Sequence, residues 1–138
     1  MGGMNISLRS MWGVVNKFNK DATNPDNGYV TGAYLLNTGK LNEVDRYTVS
    51  EYTPVTASKT YTLVYGNNLN KPSICFYDSN YNYISGINYG NITTITFTTP
   101  NNTAYCRLSY SIEDAGDVML NEGSTALPYE PYYKWVED

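Results

Sequence analysis

Histidine is absent from this chain. Its absence removes the Ser-His-Asp and Cys-His arrangements of nucleophilic catalysis and any His-ligated zinc. Basic residues are scarce as well, 9 Lys and Arg scattered singly against 13 Asp and Glu, for a net charge of -4. A protein that tracks phosphates carries a basic stripe, so nucleic acid is not an expected partner. No apolar run is long enough to cross a bilayer, and no stretch combines a basic start, an apolar middle and a small-residue cleavage site. Neither membrane insertion nor export by the general pathway is therefore expected.

Charge of either sign is sparse, with 16% of the 138 residues charged, and Asn, Thr, Ser, Gly and Tyr fill the space. Such a polar but weakly charged surface suits neutral ligands. Phe is also scarce, at 3 residues beside 2 Trp, whereas Tyr reaches 15. Tyr carries an apolar ring and a hydroxyl that wants a partner. Strands favour Tyr, which accounts for any single one, but the excess leaves several rings for the surface. The chain length fits one domain with a single core. We place a lead-in or junction at residues 1–13 and one domain at 14–138.

Period-two alternation is the main structural signal. In the stretch Thr94–Ser111, Ile95 and Phe97 oppose Thr94, Thr96 and Thr98; beyond a Pro-Asn-Asn-Thr turn, Ala104, Cys106, Leu108 and Tyr110 oppose Tyr105, Arg107 and Ser109. This predicts a hairpin of two antiparallel strands, each with one face in the core. Further strands are expected near Val14–Asn19, Tyr29–Asn37, Arg46–Val55 (which Pro54 ends as an edge or bulge), Thr60–Tyr65, Ser73–Asp78, Tyr81–Ile84 and Val118–Leu120. Turn formers at 24–28, 37–40, 66–72, 78–80 and 113–117 separate them, and Ser85–Asn91 reads as loop. Short strands at close spacing, without a convincing amphipathic helix, predict an all-β, two-sheet antiparallel β-sandwich of about 8 or more strands. Of the two cysteines, Cys106 is expected on the core face and Cys75 on the face of Tyr77, so two separate thiols are expected rather than a disulfide.

Three segments taken in order carry a family resemblance: Ser50–Leu63 (SEYTPVTASKTYTL), Ile74–Gly86 (ICFYDSNYNYISG) with Thr96–Ser111, and Val118–Tyr132 (VMLNEGSTALPYEPY). The chain resembles the jelly-roll carbohydrate-binding modules of tail, baseplate and receptor-binding proteins of phages that infect Gram-positive bacteria; similar modules accompany secreted glycoside hydrolases. The resemblance covers roughly residues 14–133. It implies a sandwich whose concave face or loop rim binds a glycan on the bacterial surface, in a virion protein that recognises the host from outside the cell. Other tail proteins, or further copies of the chain, are the partners it implies, and a spacer or assembly role in the virion is the alternative. Related jelly rolls often hold a structural calcium, for which Asn19, Asp21, Asp26, Asp117 and Glu122 are the candidate oxygen ligands. Their spacing matches no dedicated loop, and solvated turn residues are the simpler reading of each.

Binding a sugar needs a flat aromatic against its C–H face and short polar groups around its hydroxyls. Tyr105 and Arg107 stand two residues apart on one strand face, about 7 Å from each other. Arg107 offers a fork of donors to vicinal hydroxyls or to an anion on a wall polymer; the alternative is an ion pair with Glu51 or Asp78. Tyr77 is a second platform candidate, and Tyr81 and Tyr83 crowd a stretch with few apolar neighbours. The candidate glycan site is therefore Tyr105, Arg107, Tyr77, Tyr81, Tyr83 and Asp78. Tyr129, Tyr132, Tyr133 and Trp135, interleaved with Pro128 and Pro131, read as a tail sealing the sandwich edge or a junction. A glycosidase would need two opposed carboxylates, whereas Glu113-Asp114 and Glu137-Asp138 are merely adjacent, which leaves only accidental neighbours across the cleft such as Glu51 and Asp78. No catalytic site is expected.

Overall fold

In the computed structural model the alternating segments pair into two antiparallel sheets, described over residues 15–65, 73–88, 93–111 and 118–132. One sheet holds β1 (Val30–Leu35), β2 (Leu41–Val49), β8 (Tyr105–Ser111), β5 (Ser73–Tyr77) and β6 (Tyr83–Asn88) in that order, with the two-residue β3 (Thr53–Pro54) also paired to β8. The other is β7 (Thr94–Thr98), β4 (Thr60–Val64) and β9 (Met119–Glu122). The chain is a two-sheet β-sandwich. No α-helix occurs among the described residues.

Between the sheets lies the main core. It takes Tyr61 and Leu63 from β4, Ile95 and Phe97 from β7 and Leu120 from β9, and meets Ile74, Phe76, Cys106, Leu108 and Tyr110 of the larger sheet. The other face of β4 and β7 carries threonine pairs, Thr60 with Thr98 and Thr62 with Thr96, hydroxyl to hydroxyl at 3.0 and 3.1 Å. Alternation in the sequence thus corresponds to alternation in burial, as in β7, where Ile95 and Phe97 are buried between exposed threonines.

Three expectations need correction. The segments around Pro100 do not form a hairpin: β7 pairs with β4 and β8 with β2, β3 and β5, so the turn carries the chain from one sheet to the other. Thr99 and Ala104 end the two strands by donating their backbone N–H groups to Lys59 and Tyr77 carbonyls, partners in opposite sheets. A tight reversal forms equally well within a sheet or between two, and local residues do not separate the cases. Second, residues 15–19 form no strand; they run along β9, tied by Lys17 N–H to Leu120 O at 2.7 Å. Third, Ser85–Asn88 is strand rather than loop, because it pairs with β5 from Phe76 back to Ser73; Gly86 within it leaves room for the β1–β2 turn, since a Cβ there would lie 2.1 Å from the Asn37 oxygen. The expected loops at 66–72 and 113–117, residues 1–13, Tyr133 and Trp135 lie outside the described residues.

A smaller second core covers the other face of the larger sheet. Ala33 and Leu35 of β1 lie over Val49, Cys75 and Tyr77. The β1–β2 hairpin curls back across the sheet, and serines receive it: Leu35 N–H donates to Ser109 Oγ at 3.1 Å, and Ser73 Oγ donates to Leu35 O. Ser73 and Ser109 are themselves cross-strand partners. The two thiols are separate, Cys106 in the main core and Cys75 in the smaller one.

Candidate functional site

A one-residue mismatch on β8 builds the site. β2 ends with Val49 opposite Ser109, and β3 starts with Thr53 opposite Cys106, so Ser50, Glu51 and Tyr52 face only Arg107 and Leu108. The extra residue is a β-bulge, which interrupts pairing and re-aims side chains. Ser50 bridges the gap: its N–H donates to Leu108 O at 2.8 Å, and its hydroxyl accepts from Leu108 N–H at 2.9 Å. Glu51 and Tyr52 are thereby pushed out of the ladder toward the loop at 24–28.

That loop is a single 3-10 turn, Pro25–Asn27, capped by Asn24 Oδ1 accepting from Asp26 N–H and closed by Gly28 at φ +94°. Glu51 fastens it, one carboxylate oxygen accepting from Asn24 N–H at 2.7 Å and the other from Asn27 Nδ2 at 2.6 Å. Gly28 is required for a second reason, since a Cβ would come within 2.7 Å of the Tyr52 ring.

Tyr52 is the hub of an aromatic cluster. It meets Tyr77 edge-on at 4.9 Å, Tyr81 at 4.8 Å and Tyr105 at 6.1 Å between ring centroids. Above it Tyr81 and Tyr105 stack at 4.8 Å with only 12° between their planes, hydroxyls 3.4 Å apart. Tyr81 reaches this position from a left-handed backbone conformation, φ +65°, uncommon for a residue with a side chain. Asp78 holds the turn that presents it. Its carboxylate accepts from the N–H groups of Asn80 and Asn82 at 2.8 and 2.9 Å, and these bonds keep its pKa below the ordinary value.

Beneath the platform lies Arg107, only 7% exposed. Its guanidinium donates to Gly28 O and Ser50 O and packs over Tyr52 at 4.8 Å and Tyr77 at 5.9 Å. It makes no ion pair with Glu51 or Asp78 among the described residues. Beside it the Tyr77 hydroxyl is buried without a partner in hydrogen-bonding geometry. Burial pushes the Tyr77 pKa up to about 12 and that of Cys75 to about 11, with the nearby Arg107 charge pulling both the other way.

Of the six residues read from sequence as a glycan site, the structure brings Tyr81 and Tyr105 together at a surface cleft. Tyr77 and Arg107 are corrected: they face away from the main core as expected, but the β1–β2 hairpin and the loop at 24–28 cover them, and neither lines the cleft. Tyr83, though 40% exposed, sits at the opposite end of the cluster and donates its hydroxyl to Asn37 O. Asp78 positions Tyr81 without lining the cleft.

The cleft encloses about 380 Å³, within the usual range of small-ligand sites. Tyr52, Tyr81 and Tyr105 form its aromatic side, with Asn19, Asn27, Glu51, Lys17 and Tyr132 around them. The sequence reading missed Tyr52, Asn27, Lys17 and Tyr132 as site residues and considered Glu51 as an ion-pair partner or as one of two chance-paired carboxylates, not as a ligand-facing acceptor. Pro54 was the available signal: a proline that breaks an alternating run marks a bulge, and bulges re-aim the residues just before them.

No group of acidic residues among those described is placed to hold a metal ion. Asn19 accepts from Asp21 N–H within a turn, Asp26 belongs to the capped 3-10 turn, and Glu122 faces Lys59 at 3.2 Å and Lys17 at 3.9 Å. Asp117 lies outside the described residues. Comparison with protein-family models, curated proteins and solved structures finds no match to this chain.

Proposed function

We propose that the domain is a non-catalytic glycan-binding module of a phage tail or receptor-binding protein, directed at a polysaccharide of a Gram-positive cell surface. The observation that carries this reading is the Tyr81–Tyr105 pair on a cleft fringed by Asn27, Glu51 and Lys17. Exposed ring faces suit the C–H side of a sugar. Glu51 keeps lone pairs beyond those used on the loop, Lys17 and Asn27 supply donors, and together they complement a ring of hydroxyls. Glu51 is the sole carboxylate among the residues lining this cleft, which supports binding over the two-carboxylate chemistry of glycoside hydrolysis. The sequence segments quoted above supply the virion setting.

Binding of the purified domain to cell walls and extracted wall polysaccharides from a panel of Gram-positive bacteria tests the reading. Tyr81→Ala and Tyr105→Ala are each expected to weaken binding about tenfold, equivalent to about 1.4 kcal/mol, with little change in melting temperature for Tyr81→Ala, whose ring is 47% exposed, and a modest loss for Tyr105→Ala, whose ring packs against the smaller core. Absence of wall binding, or full binding by the double variant, overturns it. A virion-assembly role draws instead on Leu41 and Val44, exposed at 43% and 37% on β2. A stable oligomer hiding these residues, without polysaccharide binding, would favour that role.

A further inference from the structure

The cleft of Tyr81 and Tyr105 does not end at Tyr132. A second depression of about 310 Å³ begins there, floored by Val55 and Tyr61 and bounded by Thr56 and Glu122. Lys17, Pro54 and Tyr132 line both. The two spaces are therefore neighbours, with only these three side chains between them where they meet at β3.

The junction is built rather than incidental. Asn16, 1% exposed, donates from Nδ2 to Val118 O at 3.0 Å and to Glu130 O at 2.8 Å, and accepts from Leu120 N–H at 3.0 Å. One buried amide thus fixes both the segment bearing Lys17 and the segment bearing Tyr132. Glu122 is held more closely by Lys59, at 3.2 Å, than by Lys17, at 3.9 Å, so Lys17 donors remain for a ligand crossing the junction. On the floor, Pro54 has no N–H to satisfy, and the Thr56 N–H is engaged by the Tyr61 hydroxyl at 2.8 Å. What remains is a largely apolar base with polar walls, next to the platform across Lys17, Pro54 and Tyr132.

We propose that this depression is a second subsite, so that the domain holds an extended glycan chain running from the tyrosine platform past Lys17 and Tyr132, rather than a single terminal sugar. The proposal rests on the glycan-binding reading above. A chain spanning both spaces gains contacts that a short fragment cannot make, and its internal units need no closed pocket.

The test is calorimetric titration with size-fractionated fragments of the wall polysaccharides used above. Wild-type affinity is expected to rise about tenfold between fragments that fill one space and fragments that span both. Thr56→Trp and Thr56→Arg, which fill only the second space from an exposed position, should abolish that rise and leave short-fragment affinity and melting temperature unchanged. Tyr81→Ala should weaken all lengths. Affinity independent of length, or a rise that survives both Thr56 variants, overturns the second subsite while leaving glycan binding in place. Failure of every fragment to bind overturns both.

Discussion

Arg107 and Tyr105 are two residues apart on β8 and point the same way, yet only the tyrosine reaches solvent-facing space. Arg107 carries a full charge into a site 93% removed from water by its own exposure of 7%, and its compensation is two carbonyl oxygens and two aromatic faces. Hydrogen bonds from a charged donor contribute about 1.5–3 kcal/mol, and a desolvated cation over an aromatic ring about 2 kcal/mol. Arg107→Ala is therefore expected to destabilise the fold by about 2–4 kcal/mol, measured by urea unfolding, and to weaken ligand binding through loss of the platform's support. Arg107→Lys should recover only part of the stability, because an ammonium lacks the planar fork that meets both carbonyls while lying flat on a ring. Unchanged stability in Arg107→Ala would place the residue in a ligand-facing role instead.

At the scale of elements, β8 is the strand on which everything converges. One face enters the main core; the other receives the bulge of β2 and β3 and the curled β1. Ser109 of β8 and Ser73 of β5 dock the end of β1 onto that face, bonding the N–H and C=O of Leu35, whose strand otherwise pairs only with β2. Ser109→Ala leaves a buried N–H without its acceptor and is expected to cost about 1–3 kcal/mol. The accompanying sign is faster alkylation of Cys75, whose thiol donates to Leu36 O beneath the same hairpin; an unchanged rate would contradict this account of how β1 docks. Legibility in the sequence followed the same division. A strand with one buried and one solvated face, such as β7, was readable because alternation reports burial directly. β8 was readable as a strand, but its second face was not, since Tyr, Arg and Ser are residues that an open face would also use. The partners of β7 and β8 were misread because pairing is decided by contacts remote in sequence, and the Pro100–Asn101–Asn102 reversal suits either outcome.

Over the whole molecule, the candidate site draws Lys17, Asn27, Glu51, Tyr81, Tyr105 and Tyr132 from six separate stretches of chain. Tyr81 and Tyr105 were legible as exposed rings, but no spacing rule joins the six; the bulge, the loop fastened by Glu51, the Asp78 turn and the buried Asn16 amide do. Burial of neutral acids in both cores also gives the fold an alkaline limit. Cys75 is raised to about 11, Cys106 and Tyr77 to about 12, each by desolvation above all, and Tyr110 is raised further. An acid whose folded pKa lies above its unfolded one is deprotonated first in the unfolded chain, so stability is full below the unfolded value and falls as pH rises past it. Urea midpoints should hold to about pH 9, the ordinary thiol value, and decline steadily above it; a flat profile to pH 11 would contradict the burial of these groups.

The central claim, that the stacked Tyr81–Tyr105 pair is the platform on which a surface glycan lies, is tested most directly by NMR of the tyrosine ring resonances during titration with wall polysaccharide. The account predicts shifts concentrated on Tyr81, Tyr105, Tyr52 and Tyr132, with Tyr65 and Tyr110 in the main core unmoved. Shifts absent from Tyr81 and Tyr105, or centred on Tyr83 at the far end of the cluster, would contradict it.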